Sequence, residues 1–258
     1  MSNIPVGAIP VLDKGYVLLV GFSHYVNHSE DGTINLSPTD DLRAVADARV
    51  STDKTATTFG PSEQRTLNFL LKEGHTSPFR GQVMTVEIKA PLFVARQFWK
   101  YCTGHHHDES PIGHDTFLNF SEVSRRYVDD TPEFYIPEYF RLAPERRSQG
   151  SIDEPAPFSR LFRESLKSRV LDGLADYKEA IGEGICAEQA RLFLPAYAMY
   201  TKWRWTMSLQ GFCHMESQRL PHDAQKETRE YAKAIFDLGL PIWPIAVEKM
   251  VKVKEGKG

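Results

Sequence analysis

The sequence predicts an α+β fold in one domain. Three observations carry that reading. Short apolar or alternating runs at 16–22, 83–88 and 197–207 have strand character; segments of helical period lie between and after them; no internal repeat or low-complexity tract divides the chain. At 258 residues the chain can build one large core or two small ones, and length alone does not choose.

Tyr16 to Phe22 (YVLLVGF) is an apolar run with the length of a buried strand. Ser37-Pro38-Thr39-Asp40 supplies helix-start chemistry, and Leu42, Val45, Ala46 and Ala48 continue a helix towards Val50. Thr55 to Gly60 reads as loop. Pro61 to Glu73 is a second helix, with Leu67, Leu70 and Leu71 at core spacing and Gly74 ending it. In Gly74-His75-Thr76-Ser77-Pro78-Phe79 the proline makes Ser77 extended, so this is a turn presenting a histidine and hydroxyls. Read alone, it is a helix-to-strand connector. Val83 to Ile88 alternates, with Met84, Val86 and Ile88 on one face. Pro91 suits the first turn of a helix carrying Phe93, Val94 and Phe98, to which Arg96, Gln97 and Lys100 add long polar groups.

Further along, Arg125 to Val128 reads as extended and PEFYIPEYF (132–140) as loop. Ser148 to Pro157 is polar, contains Pro and Gly, and is the best linker candidate. Phe158 to Ile181 is a long amphipathic helix with Leu161, Phe162, Leu166, Val170, Leu174 and Tyr177 on its apolar side. Cys186 to Phe193 is a shorter helix stopped by Pro195. Tyr197 to Met207 alternates aromatic and polar residues as a strand does. From Leu209 the pattern is helical, another helix follows Leu220 and ends at Gly239, and a terminal segment spans Trp243 to Val251.

Composition excludes several classes of function. Hydrophobic residues at 41% and charged residues at 25% describe a globular protein, with no apolar run of membrane-spanning length. The start, MSNIPVGAIPVLDKGY, lacks the basic and apolar regions of a signal peptide. Three widely spaced cysteines argue for a reducing compartment, so a cytoplasmic location is expected. A formal net charge of −3 gives no general attraction to nucleic acid, so any phosphate must be held by a local arginine cluster. That favours a nucleotide-sized ligand over a polymer.

The densest chemistry runs from Lys89 to Tyr127. Its last part packs Glu122, Ser124, Arg125 and Arg126 into five residues, a set that suits an anionic, hydrogen-bonding ligand. A second polar cluster holds Arg191, Ser208, Gln210, His214 and Arg219, with Gln210 and His214 four apart on one helical face. Read alone, Arg219 is a solvated arginine at a helix end. Between the halves of the first cluster, TGHHHDESPIGHD carries His105, His106, His107, His114, Asp108 and Asp115. The spacing fits no compact zinc pattern, so no metal is expected there, and the segment reads as a loop over a site. Phe212-Cys213-His214 invites a nucleophilic cysteine, but a buried structural cysteine is the better reading.

APLFVARQ (90–97) followed by the Glu-x-Ser-x-Arg-Tyr segment at 122–127 resembles the flavin-dependent thymidylate synthases. Glu188-Gln189-Ala190-Arg191 with Leu194-Pro195, then Arg219 with Ala224-Gln225, is similar to that family's C-terminal half in the same order. The family's Arg-His-Arg signature, seven residues before a serine, is here Lys100-Tyr101-Cys102, separated from Ser124 by 21 residues. The resemblance spans roughly Ala48 to Ala234.

The resemblance implies a mostly antiparallel central sheet flanked by helices, in one catalytic domain over 1–258 with an inserted loop at 103–117. It implies reductive methylation of dUMP to dTMP, with 5,10-methylenetetrahydrofolate as carbon donor and NADPH reducing FAD. It implies a homotetramer with active sites shared between subunits. Gln97, Lys100, Glu122, Ser124, Arg125, Arg126 and Arg191 would bind the nucleotide, and Arg219 would bind and activate it by drawing charge onto the N3–C4–O4 side of the ring. His75, Ser77, Lys100, Tyr101, Cys102, Glu122, Ser208, Gln210 and His214 would contact the flavin. Replacement of two signature arginines removes charge-assisted hydrogen bonds worth about 1.5–3 kcal/mol each, so FAD is held more weakly or differently. A pyrimidine nucleotide C5-hydroxymethylase or other C5-modifying enzyme on the same fold, or a non-catalytic dUMP-binding paralogue, is the alternative.

Overall fold

The computed structural model describes residues 4–29, 31–38, 40–54, 56–102, 120–124, 131–145 and 150–252. In chain order, strands β1 (Ile9–Val11), β2 (Gly15–Phe22), β3 (His24–His28) and β4 (Ile34–Pro38) precede helices α1 (Asp41–Arg49) and α2 (Pro61–Lys72). Then come β5 (Val83–Pro91), α3 (Leu92–Cys102), β6 (Phe120–Glu122), β7 (Arg141–Leu142) and β8 (Ile152–Pro155). Helices α4 (Ser159–Gly182) and α5 (Ala187–Ala190), strand β9 (Tyr200–Ser208), and helices α6 (Leu209–Arg219), α7 (Lys226–Gly239) and α8 (Pro244–Met250) complete it.

The central sheet runs β1-β2-β5-β9-β6, and every neighbouring pair is antiparallel. Its register sets Met84 opposite Met207, Val86 opposite Trp205 and Ile88 opposite Trp203. Because side chains alternate along a strand, these six point to one face. All are at most 1% exposed and share a core with Val94 and Phe98 of α3, Phe212 of α6, and Tyr231 and Ile235 of α7. The other face is polar: Thr85 and Thr206 share a hydroxyl hydrogen bond of 2.8 Å, and Glu87 accepts from Tyr16 at 2.8 Å and Arg204 at 3.0 Å. The expected antiparallel sheet flanked by helices is therefore what the chain forms.

Two local features tie the helices to this sheet. A Cβ on Gly15 would lie 1.8 Å from the Tyr231 hydroxyl, which donates to the Lys89 carbonyl at 2.7 Å. Only glycine lets α7 approach β2 that closely. Asp41 is 4% exposed and accepts from the amides of Ile245 and Ala246 at 2.7 and 2.9 Å, satisfying the first turn of α8.

Several expectations change. Ser37 and Pro38 belong to β4, and Asp40 alone caps α1, accepting from Leu42 N–H at 2.8 Å. Ser77 is not extended: it opens a 3-10 turn, Ser77–Phe79, because the Phe79 amide reaches back to the Thr76 carbonyl. The linker candidate contains β8, which pairs with β7. In α4 only the second half of the apolar stripe is covered, as Leu166, Val170, Leu174 and Tyr177 pack around Phe134 and Leu194 while Leu161 and Phe162 are both 61% exposed. The 103–117 insertion and the Arg125 to Val128 segment lie outside the described residues.

Candidate active site

Helices α3 and α6 bring together one group of the candidate residues. Gln97 and Tyr101 are one turn apart on α3, so they share a face. Tyr101 is 9% exposed, with its ring edge-on to His214 at 5.9 Å and the Arg219 guanidinium 5.3 Å from its centre. Burial pushes the Tyr101 phenol pKa up, while the charge and hydrogen bond of Arg219 work against that rise. Arg219 is not the solvated arginine its position suggests. Its Nε is buried and, among the described residues, has no hydrogen-bond partner, because the end of α6 lies against Tyr101. Gln97 is half-buried and donates to Gln225 at 2.6 Å, and Lys100 is exposed. Of Cys102 the backbone alone is described; it ends α3.

A second group lines a cavity of about 900 Å³ beside the β6 edge of the sheet, walled by Trp99, Glu122, Ser124, Arg191, Thr201 and Lys202. Glu122 accepts from the Thr201 hydroxyl at 2.7 Å, and Arg191 donates to the Glu188 carbonyl at 3.1 Å. Leu92 and Trp99 present α3 to this cavity; at about 100° per residue they lie on the side of the helix away from Gln97 and Tyr101. The nucleotide set predicted from sequence is thus split between opposite faces of one helix. Arg125 and Arg126 lie outside the described residues.

A third group surrounds His75 and Ser77, in a cavity of about 1100 Å³ lined also by Arg49, Ser51, Thr52 and Lys54. Arg49 is held by Glu63 at 2.6 Å and by Ser62 at 2.8 Å. Sequence reasoning missed Ser51, Thr52 and Lys54; the available signal was a polar run placed directly after a helix. Ser208 and Gln210 have other employment. Ser208 is 3% exposed and caps α6 by accepting from Gly211 N–H at 3.1 Å, and Gln210 accepts from Arg80 Nε at 3.0 Å. Cys213 is 2% exposed and its thiol pKa is pushed well up by burial, as a structural cysteine requires.

No described helix is long and apolar enough to cross a membrane. Comparison with known proteins bears on family and fold. The family model described as thymidylate synthase complementing protein matches residues 33–245. The flavin-dependent thymidylate synthase of Treponema denticola is 30% identical over 246 residues, covering 92% of this chain and 79% of that protein. That of Thermus thermophilus is 32% identical over 238 residues, covering 92% and 76%. The crystal structure of the UMP/dUMP methylase PolB from Streptomyces cacaoi, bound with 5-Br dUMP, aligns with a TM-score of 0.71 at 21% identity. It covers 95% of this chain and 98% of that one, and shows a shared fold. With a family match across most of its length, and relatives at 30% and 32% identity over nine-tenths of it, the chain belongs to the flavin-dependent thymidylate synthase family.

Proposed function

We propose that this protein methylates dUMP reductively at C5 to give dTMP, with 5,10-methylenetetrahydrofolate as carbon donor and with FAD and NADPH as the source of reducing equivalents. The observation that carries the reading is Arg219, whose buried Nε–H has no partner among the described residues while its guanidinium is seated on Tyr101. A guanidinium of intermediate exposure held against an aromatic ring is fixed in direction, and a ligand would meet it through its terminal nitrogens rather than through the enclosed Nε. Placed at the N3–C4–O4 side of a uracil ring, it stabilises the negative charge that makes C5 nucleophilic. No cysteine addition is needed, consistent with the buried Cys213.

Gln97 would orient the base, and Glu122, Ser124 and Arg191 would hold the ribose and phosphate. Gln97 lies on the face of α3 turned away from the cavity that Glu122, Ser124 and Arg191 line, an arrangement that supports a site shared between copies. Exposed apolar side chains near the cavity, Leu192 at 80% and Tyr197 at 64%, with Leu161 and Phe162 of α4, fit burial in a homotetramer of single-domain subunits. Lys54, His75 and the Ser77 hydroxyl line this protein's larger cavity and would hold a phosphate-bearing group such as FAD, while the Ser51 and Thr52 hydroxyls are spent on the Ala48 and Arg49 carbonyls at 2.8 and 3.0 Å. His214, exposed at the edge of the Tyr101 ring, would meet its ring system.

One observation favours a second reading. Ser208 and Gln210, expected at the flavin, are engaged in capping α6 and in binding Arg80, which thins the flavin contacts. A C5-hydroxymethylase needs no reduction and would tolerate that loss. The visible absorption spectrum after FAD addition and dialysis, followed by product analysis, separates the two. Retained flavin and NADPH-dependent dTMP support the synthase; a colourless protein making a hydroxymethyl product without NADPH refutes it.

A further inference from the structure

Gln97 is the end of a chain of hydrogen bonds. Its Nε2 donates to Gln225 Oε1 at 2.6 Å, and Gln225 Nε2 donates to Glu227 Oε2 at 3.1 Å. Arg141 grips the same carboxylate with both terminal nitrogens, to Oε1 at 2.6 Å and to Oε2 at 2.8 Å. Glu227 is 5% exposed. Burial pushes its carboxyl pKa up, but the bonds from Arg141 outweigh burial and leave it below the ordinary range.

The direction of each bond follows from this end. An ionised carboxylate only accepts, so Gln225 must turn its NH₂ towards Glu227 and its oxygen towards Gln97. Gln97 must then answer with its own NH₂, because the flipped amide would set two carbonyl oxygens against each other. A side-chain amide is ordinarily free to choose between two orientations related by a half-turn. Here the choice is made by an arginine three residues along the hydrogen-bond chain.

We propose that Arg141, Glu227 and Gln225 are positioning residues that lock the Gln97 amide in one orientation and so decide which pyrimidine base the site accepts. The inference rests on the reading of Gln97 as a nucleotide contact. Uracil presents an N–H at N3 beside the O4 acceptor; cytosine presents an acceptor at N3 beside the N4 amino donor. The two edges carry the same groups in reversed order. A free amide serves either by flipping, whereas a locked one serves one base alone. Uracil is that base for a dUMP enzyme.

The test is calorimetric binding of dUMP and dCMP to the full-length protein with FAD present, comparing the unaltered protein with Q97A, Q225M and E227Q. Methionine matches glutamine in length and leaves the Arg141–Glu227 pair in place, so Q225M removes the lock without removing the ion pair. E227Q lets Gln225 flip while keeping the side-chain shape. Both are expected to narrow the dUMP-to-dCMP affinity ratio by about tenfold, the effect of one or two mispaired hydrogen bonds. A ratio is insensitive to the fraction of protein that is folded, so a merely structural role would leave it unmoved. An unchanged ratio in Q225M, with dUMP binding weakened in Q97A, overturns the lock and leaves the functional reading standing. Failure of the unaltered protein to bind either nucleotide overturns the functional reading and this inference with it.

Discussion

Replacing Arg141 by alanine should cost the protein about 3–5 kcal/mol at neutral pH, the usual penalty for leaving one member of a buried ion pair alone. The structure places this pair in that class. The side chains of Arg141 and Glu227 are 16% and 6% exposed, and the contact is bidentate at 2.6 and 2.8 Å. Against a total stability of about 5–15 kcal/mol, the loss is a large fraction. Its pH dependence has a definite sign. In the unaltered protein Glu227 has a depressed carboxyl pKa, so its contribution is complete above the unfolded value of about 4.3 and is lost as pH falls through the folded value. In the variant burial acts unopposed and raises that carboxyl, so the ionised form destabilises the fold at neutral pH and protonation relieves it. The deficit between the two proteins should therefore be largest at pH 7 and shrink towards pH 4. Urea denaturation reads it directly through the fluorescence of Trp203, Trp205 and Trp243, all at most 1% exposed. A deficit below about 1 kcal/mol, or one that grows on acidification, would refute the reasoning.

Three further outcomes are expected. Arg219→Lys replaces a planar guanidinium with a point charge and should lower kcat by about 10²-fold in steady-state assays, while flavin content stays unchanged; equal loss of flavin would place the residue's role elsewhere. Arg191→Ala, at the rim of the 900 Å³ cavity, should raise KM for dUMP about tenfold with kcat little altered, as loss of uniform binding does. A drop confined to kcat would contradict a binding role. Gly239→Ala places a methyl 2.5 Å from the Phe212 ring and should cost about 1–3 kcal/mol, seen as a lower urea midpoint; an unmoved midpoint would mean that the α6–α7 contact yields more easily than its packing suggests.

Legibility in the sequence followed how local the cause was. Helix α2 could be read because its signals sit within it: Pro61 at its start, Leu67 and Leu70 buried on one side, and Gly74 beyond its end with φ at 70°. Strand β5 could be read from its alternation, which the burial pattern repeats residue by residue from Val83 to Ala90. Strand β8 could not, since all four of its residues are exposed and only pairing with β7 makes it a strand. The stripe on α4 was read correctly as apolar, yet whether Leu161 and Phe162 are covered depends on surfaces beyond the helix.

At the site the same division holds. Residue types and their order were enough to name Gln97, Glu122, Ser124, Arg191 and Arg219 as candidates and to point to an anionic nucleotide. What the sequence by itself determined was therefore the fold class and the family, because both are written in short-range pattern and residue identity. The tertiary structure alone decided three things: the division of the candidate residues between the two sides of α3, the seating of Arg219 on Tyr101, and the bond chain from Arg141 to Gln97. Each depends on residues dozens of positions apart being brought within a few ångströms, and that distance is set by packing across the sheet, which no local pattern encodes.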